Sequence, residues 1–381
     1  MKLTFCAALA ALLAFAGSAD ALEVKFYPAD YVYAYELDRA HGSSSVILHN
    51  IAIVNDGPAP VTLNAVSIEL MAGERTIDAR TLGAEELSRA AAGGAGLQQA
   101  GLLQPLAFQF GGDLLLPANT TLSADLTLDP GEAILISSQV FAYRGARDGV
   151  RVRVNGDAAQ GRIAIRSEGT QTRFSFPLHG RWWNAAGSSF HTHHRWTPME
   201  EFAFDLIRLR PDLTTHRRDG TRFGDYLAYG EPVFAAAPGR VALVISGEQE
   251  DASVMQRPDE TIETYFARLQ QEQMTRLARG AAGIGGNQIM IDHGNGEFSF
   301  YGHLQPGSVL VRVGDQVMRG QRIAAVGSSG NSTEPHLHFH VCNSADPLMC
   351  RGIPITWEGE IDLGMPDPPR APQTGDIMSQ H

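Results

Sequence analysis

Cysteine is scarce in this chain: three residues in 381, namely Cys6, Cys342 and Cys350. So few exclude a small scaffold held together by many disulfides. Basic charge is in deficit as well. The formal net charge of -12 argues against a nucleic-acid partner, which needs a basic face. Long apolar runs are missing beyond the N-terminus, so no later stretch predicts a membrane-spanning helix. The one apolar run, residues 3–16, is 14 residues long and follows Lys2. It is short for a bilayer, and Ala19-Asp20-Ala21 is a small-x-small cleavage site. Residues 1–21 therefore read as an export signal, with a mature chain expected from Leu22 in the periplasm or the medium. Cys6 falls inside the run, too early for lipid attachment. Cys342 and Cys350 then remain as a close pair in an oxidising compartment, which predicts a small disulfide loop.

Against those absences stands a row of imidazoles. Pro335-His336-Leu337-His338-Phe339-His340-Val341 alternates histidine with apolar residues. Side chains of a strand alternate between faces, so the three histidines share one face and Leu337, Phe339 and Val341 share the other. Packing alone gives no reason for such a row, although a solvated sheet edge is the plain alternative. Neutral imidazole is both a zinc ligand and a proton carrier, which makes metal-assisted chemistry the stronger reading.

About 360 mature residues predict two domains. The fold class is mainly β. Residues 22–175 read as a β-sandwich of immunoglobulin-like type. Their β-branched and alternating runs at 45–54 and 61–70 are separated by the turn Asn55-Asp56-Gly57-Pro58. An Ala/Gly/Leu-rich stretch, residues 84–100, predicts an inserted helix. A second β-rich domain is expected over residues 176–360, with strands at 202–209, 232–245, 287–293, 297–304 and 336–341. Residues 258–279 carry helix-forming residues and end at Gly280, which predicts a helix inserted between two of those strands. Residues 361–381 lack a periodic pattern and read as a mobile tail.

Three further features accompany the histidine row: Phe300-Tyr301-Gly302-His303-Leu304, Phe202-Ala203-Phe204-Asp205-Leu206-Ile207, and His191-Thr192-His193-His194-Arg195. Asp205 lies in an apolar run, where an ionised carboxylate is costly unless it is paired or bound to metal. An arginine partner is the simple explanation. Beside a histidine cluster the ligand reading gains, because a catalytic zinc uses three protein ligands and lowers the pKa of water to roughly 7.

The stretch from about Gly180 to Pro354 resembles the LytM/lysostaphin-type zinc metallopeptidases, peptidase family M23. The resemblance is carried by several short motifs in order. Tyr229-Gly230-Glu231-Pro232-Val233 and Gly286-Asn287-Gln288-Ile289 come first. Asp292-His293-Gly294, Tyr301-Gly302-His303-Leu304, Val313-Gly314-Asp315, Gly327-Ser328-Ser329-Gly330 and Pro335-His336-Leu337-His338-Phe339 follow. It implies that His338 binds Zn2+ and that His336 and His303 assist a water and stabilise the oxyanion. It also implies cleavage of peptide bonds in peptidoglycan stem peptides or cross-bridges. The chain departs from the family's His-x-x-x-Asp pattern, because Glu201 stands four residues before Asp205. A family subset with its histidine farther upstream makes His194 and Asp205 the remaining ligands, with His193 as the substitute. If that segment is extended, the two neighbours point to opposite faces and one of them can serve. His216 with Asp225 is a rival pair. His340 reads as a residue near the metal without ligating it, or as plain surface, and His293 as structural. The resemblance leaves residues 22–175 without a function. It also leaves a second possibility open, a non-catalytic domain of the same fold that binds wall or activates another hydrolase.

Overall fold

The computed structural model describes residues 22–255, 257, 260–364 and 370–380; the expected export signal lies outside them. The N-terminal lobe is a sandwich of two five-stranded sheets. Its central strand, Ser43–Asn55, is buried from Ser45 to its end. Val46, Leu48, Ile51 and Ile53 on this strand enter one core with Ile68, Leu70, Val152 and Ile163. Ala52 and Val54 enter a second, with Leu115, Leu122 and Leu135. A β-branched run is thus covered on both faces, and it shows no alternation of burial. The helix Ala84–Gln99 starts where the Glu86 carboxylate accepts from the Gly83 backbone N–H at 3.1 Å. It then packs on the strand Glu132–Arg144.

The C-terminal lobe is built on an eight-stranded sheet. Across that sheet the strands run Gln316–Val317, Gly239–Ile245, Asn287–Asp292, Phe298–Leu304, Leu337–Cys342, Phe204–Ile207, Trp182–Ala186 and Ile377–Met378. One face is apolar: Trp182, Phe204, Leu206, Ile289, Tyr301, Leu337 and Phe339 form its core. The other carries the histidines. The stretch expected as one strand over 232–245 is two, Pro232–Phe234 and Gly239–Ile245, which belong to different sheets. Pro238 lacks an N–H to continue a ladder. At Gly239 a Cβ would meet the Asp292 carbonyl oxygen at 2.4 Å, so the chain crosses there only as glycine.

The inserted helix runs from Ile262 to Leu277, and a second short helix, Gly280–Gly285, follows it directly. Of the expected mobile tail, residues 365–369 and 381 lie outside the described residues, and residues 370–378 pack on the lobe. Ile377–Met378 adds an edge strand beside Trp182–Ala186, Met378 is buried in the core, and Arg370 pairs with Asp376 at 2.6 Å. Strands of two residues are too short to leave a periodic signal. Cys342 and Cys350 are joined in a disulfide at the end of the histidine strand.

Candidate metal centre

Three adjacent strands build the site. Asp205 lies opposite His338 on one side, and Gly302 lies opposite His338 on the other. Because Phe204, Leu206, Leu337 and Phe339 take the core face, Asp205 and His338 emerge together on the opposite face. A Cβ at Gly302 would stand 2.7 Å from the Phe300 ring and 3.5 Å from the His338 Cβ, so a glycine here leaves both rings in place.

Strict alternation would send His303 into the core beside Tyr301. It is turned out instead. The pairing with Asn287–Asp292 shifts register between Asn287 and Ile289, and His303 has φ +58°. A bulge with a left-handed residue re-aims the side chain, and a non-glycine residue in that region stores strain of the kind found at functional sites. His303 Nδ1 lies 2.8 Å from the Ser329 carbonyl, and His336 Nδ1 lies 2.8 Å from the Glu334 carbonyl. A carbonyl can only accept, so in each ring Nδ1 carries a proton; His303 Nε2 then presents its lone pair, whereas His336 Nε2 faces the Asp205 carboxylate, which favours a proton there as well. The two rings are 4.6 Å apart.

The structure brings His194, Asp205 and His338 together. His338 Nδ1 is 2.9 Å from Asp205 Oδ1, His194 Nε2 is 3.4 Å from Asp205 Oδ2, and the His194 and His338 rings are 5.0 Å apart. His336 Nε2 is 3.4 Å from Asp205 Oδ1. No arginine pairs with Asp205 among the described residues. His194 is fully buried, and neither of its ring nitrogens has a hydrogen-bond partner among the described residues. Two imidazoles and one carboxylate, one imidazole orphaned at no exposure, fit a divalent cation with three protein ligands.

Burial alone would raise the Asp205 carboxyl. The imidazoles of His194, His336 and His338 outweigh it and hold the group well below the usual carboxylate range. Burial pushes His194 down to about 4 against the pull of Asp205. Burial, then His336 and His338, hold His303 well below an ordinary imidazole. For His336 burial acts downward, but Asp205 wins and the net shift is upward.

The segment holding His193 and His194 is a tight turn, not a strand, so both neighbours face the site. His193, His194 and Asp205 each offer a ligand atom within 4.8 Å of the others. His193 is exposed and His194 is not. His216 and Asp225 are engaged elsewhere: His216 Nδ1 is 2.6 Å from the Arg218 carbonyl, and Asp225 faces Arg218 at 3.7 Å. His293 bridges the Pro238 carbonyl and Ser299 Oγ, both at 2.7 Å, and His191 is exposed. His340 is no surface residue; it is buried, stacks on Phe300 and reaches His338. Sequence reasoning missed Ser329 and Glu334, whose backbone carbonyls fix the two assisting rings. Backbone acceptors leave no residue-type signal. A cavity of about 20 Å³, the size of a single water, adjoins His303, His338 and His340. Ile284, Gln288, Glu200 and Leu348 close its sides.

Residues 274–349 match the model of peptidase family M23. That segment holds His303, His336 and His338 but not His194 or Asp205. Over 70 residues the chain is 41% identical to "Peptidoglycan DD-endopeptidase ShyA" of Vibrio cholerae, covering 18% of this chain and 14% of that protein. Over 53 residues it is 49% identical to "Murein hydrolase activator EnvC" of Escherichia coli, covering 14% of this chain and 12% of that one. The matches thus span about one seventh of those relatives' length or less. A solved structure described as "a zinc containing peptidase from vibrio cholerae" aligns with 89% of this chain and 85% of that chain. Its identity is 15% and its TM-score 0.27, a likeness that carries no argument.

Proposed function

Residues 274–349 are a peptidase family M23 domain, and on that premise we propose that the chain is an exported zinc endopeptidase. Its substrates are peptide bonds of peptidoglycan stem peptides or cross-bridges. The observation that carries this reading is that His194 Nε2 and His338 Nδ1 both approach the Asp205 carboxylate, at 3.4 and 2.9 Å, with His336 Nε2 3.4 Å from it as well. In the reading, those three side chains hold zinc. Zinc would supply a Lewis acid and a water acidic enough to attack at neutral pH. His303 keeps Nε2 free to take a proton and to return it to the leaving amine, and His336 would share this role once Asp205 is engaged by the metal, while the Nδ1–H groups of both stay on backbone carbonyls. A ring that carries a proton on Nε2 would donate it to the carbonyl oxygen as negative charge develops there.

The second reading is a non-catalytic domain that binds wall or activates another hydrolase. The likeness to the murein hydrolase activator EnvC and the small size of the cavity, about 20 Å³, favour it. Zinc content and digestion of purified wall, measured on the full chain, His338→Ala and His303→Ala, separate the two. The peptidase reading expects zinc to be lost in the first variant, and to be retained without cleavage in the second. A wild-type chain that holds zinc and cuts nothing favours the activator, and one that carries no zinc and cuts nothing removes the peptidase.

A further inference from the structure

The ligand candidate His194 lies outside the sheet, in a segment whose only regular structure is the turn His194–Trp196. Irregular backbone does not fix a metal ligand by itself, so something else must hold it. The neighbouring side chain, Arg195, is fully buried. Its guanidinium bonds the Glu201 carboxylate, at the far end of the same segment, and donates to Ser45 Oγ at 3.1 Å. The Tyr35 ring lies 5.0 Å from it, within cation–π range. Ser45 and Tyr35 belong to the N-terminal sandwich.

Two more ties reach the segment from the same sandwich strand, Ser43–Asn55. Gln109 donates from Nε2 to the Trp196 carbonyl at 2.7 Å, and its own carbonyl accepts from Asn50 Nδ2 at 2.7 Å. A ring nitrogen of His49 lies 3.8 Å from Glu201 Oε2. A buried ion pair adds little net stability once its desolvation is counted, but it does hold geometry. The planar guanidinium, forked between Glu201 and Ser45, sets the backbone one residue from His194.

We propose that Arg195 is a positioning residue through which the N-terminal sandwich sets His194 at the metal. The sandwich then completes the metal centre, and is more than a detachable targeting module. This inference rests on the zinc reading above. It makes metal affinity depend on Ser45 and Gln109, which touch no ligand.

The test uses the full chain. The zinc dissociation constant is measured by competition with a chromophoric chelator, and cobalt(II) is substituted so that its visible absorption reports the coordination geometry. Arg195→Ala is expected to weaken zinc binding on the order of tenfold or more, the size seen when supporting partners of ligands are removed, and to shift the cobalt spectrum. Arg195→Lys keeps the charge but loses the fork and restores part of the affinity. Gln109→Ala and Ser45→Ala are expected to weaken binding several-fold, and they carry the test if Arg195→Ala does not fold. Wild-type affinity and an unchanged cobalt spectrum in the folded variants overturn the inference while leaving the zinc reading intact. A wild-type chain that binds no zinc overturns both.

Discussion

His338 Nε2 and His340 Nδ1 are 2.9 Å apart. The two residues share a strand face because they are two apart, and the His340 ring is fixed by stacking on Phe300 with centroids 4.7 Å apart. His338 turns its other nitrogen, Nδ1, to Asp205. The carboxylate can only accept, so without metal Nδ1 carries the proton of His338; with zinc on Nδ1 that proton would sit on Nε2 and be donated to His340. In the zinc reading this contact would support that tautomer and the tilt of the His338 ring. His340→Ala is predicted to weaken zinc binding by about 10–100-fold without unfolding the chain. His340→Gln, which keeps an acceptor, restores part of it. A chelator competition measures both, and equal affinity in His340→Ala would remove the role.

His303 and His336 face each other at 4.6 Å, each with its Nδ1–H on a separate carbonyl. Each single alanine variant is predicted to lose about 10²–10⁴-fold in rate with zinc retained, the usual size for a positioned acid or base. Groups that serve one proton path do not act independently. The double variant is therefore predicted to be far less impaired than the product of the two single losses. Release of soluble wall fragments over time gives the four rates of this cycle. Multiplying losses would mean that the two rings work on separate steps.

The facing of His336, His338 and His340 is legible in the sequence because a strand has a strict period of two. Asp205 is legible for the same reason: a carboxylate between Phe204 and Leu206 must take the opposite face. The aim of His303 is not, since alternation alone puts it with Tyr301 in the core, and a bulge with φ +58° overrides that. The closeness of both His193 and His194 to Asp205 is not legible, because the opposite-face argument holds only for an extended segment and this one is a turn. Nothing local shows that Arg195 meets Ser45, 150 residues away. The second helix, Gly280–Gly285, was missed because three glycines in Gly-Ala-Ala-Gly-Ile-Gly oppose helix formation. Its packing against the longer helix and the strand Asn287–Asp292 compensates.

That short helix bears on access. Ala281, Ile284 and Gly285 line the small cavity beside His303 and His338, and the Ile284 carbonyl accepts from the Asn331 N–H at 2.9 Å. Arg276 of the longer helix reaches Asn331 Oδ1 at 3.3 Å. The helices thus border the side of the site on which His303 and His338 lie. Replacing residues 261–279 by a Gly/Ser segment of equal length is predicted to speed wall digestion. The gain is roughly tenfold for each 1.4 kcal/mol of closing free energy removed. Unchanged turnover in the replaced chain would show that the helices do not cover the cleft.

His49 supplies a pH test of the junction between the lobes. Burial, helped by the positive charge of Arg195, pushes its pKa down to about 3, whereas in the unfolded chain it returns to about 6.5. Between those values the unfolded state binds more protons than the folded one, so stability rises with pH across this window. The contribution is fully present above about 6.5 and is lost as pH falls towards 3, on the order of a few kcal/mol in all. The His49 ring makes weak contacts, with Glu201 Oε2 at 3.8 Å and with the Arg195 backbone, so His49→Leu gives up little and is predicted to be about as stable as the wild type at pH 7. It should also lose less stability than the wild type between pH 6.5 and 4. Urea unfolding midpoints of the two metal-free chains at pH 7, 5.5 and 4.5 measure the difference, with the groups that His49 does not touch cancelling to first order. Parallel pH profiles would mean that His49 accepts its proton in the folded chain, and that the junction is open to water.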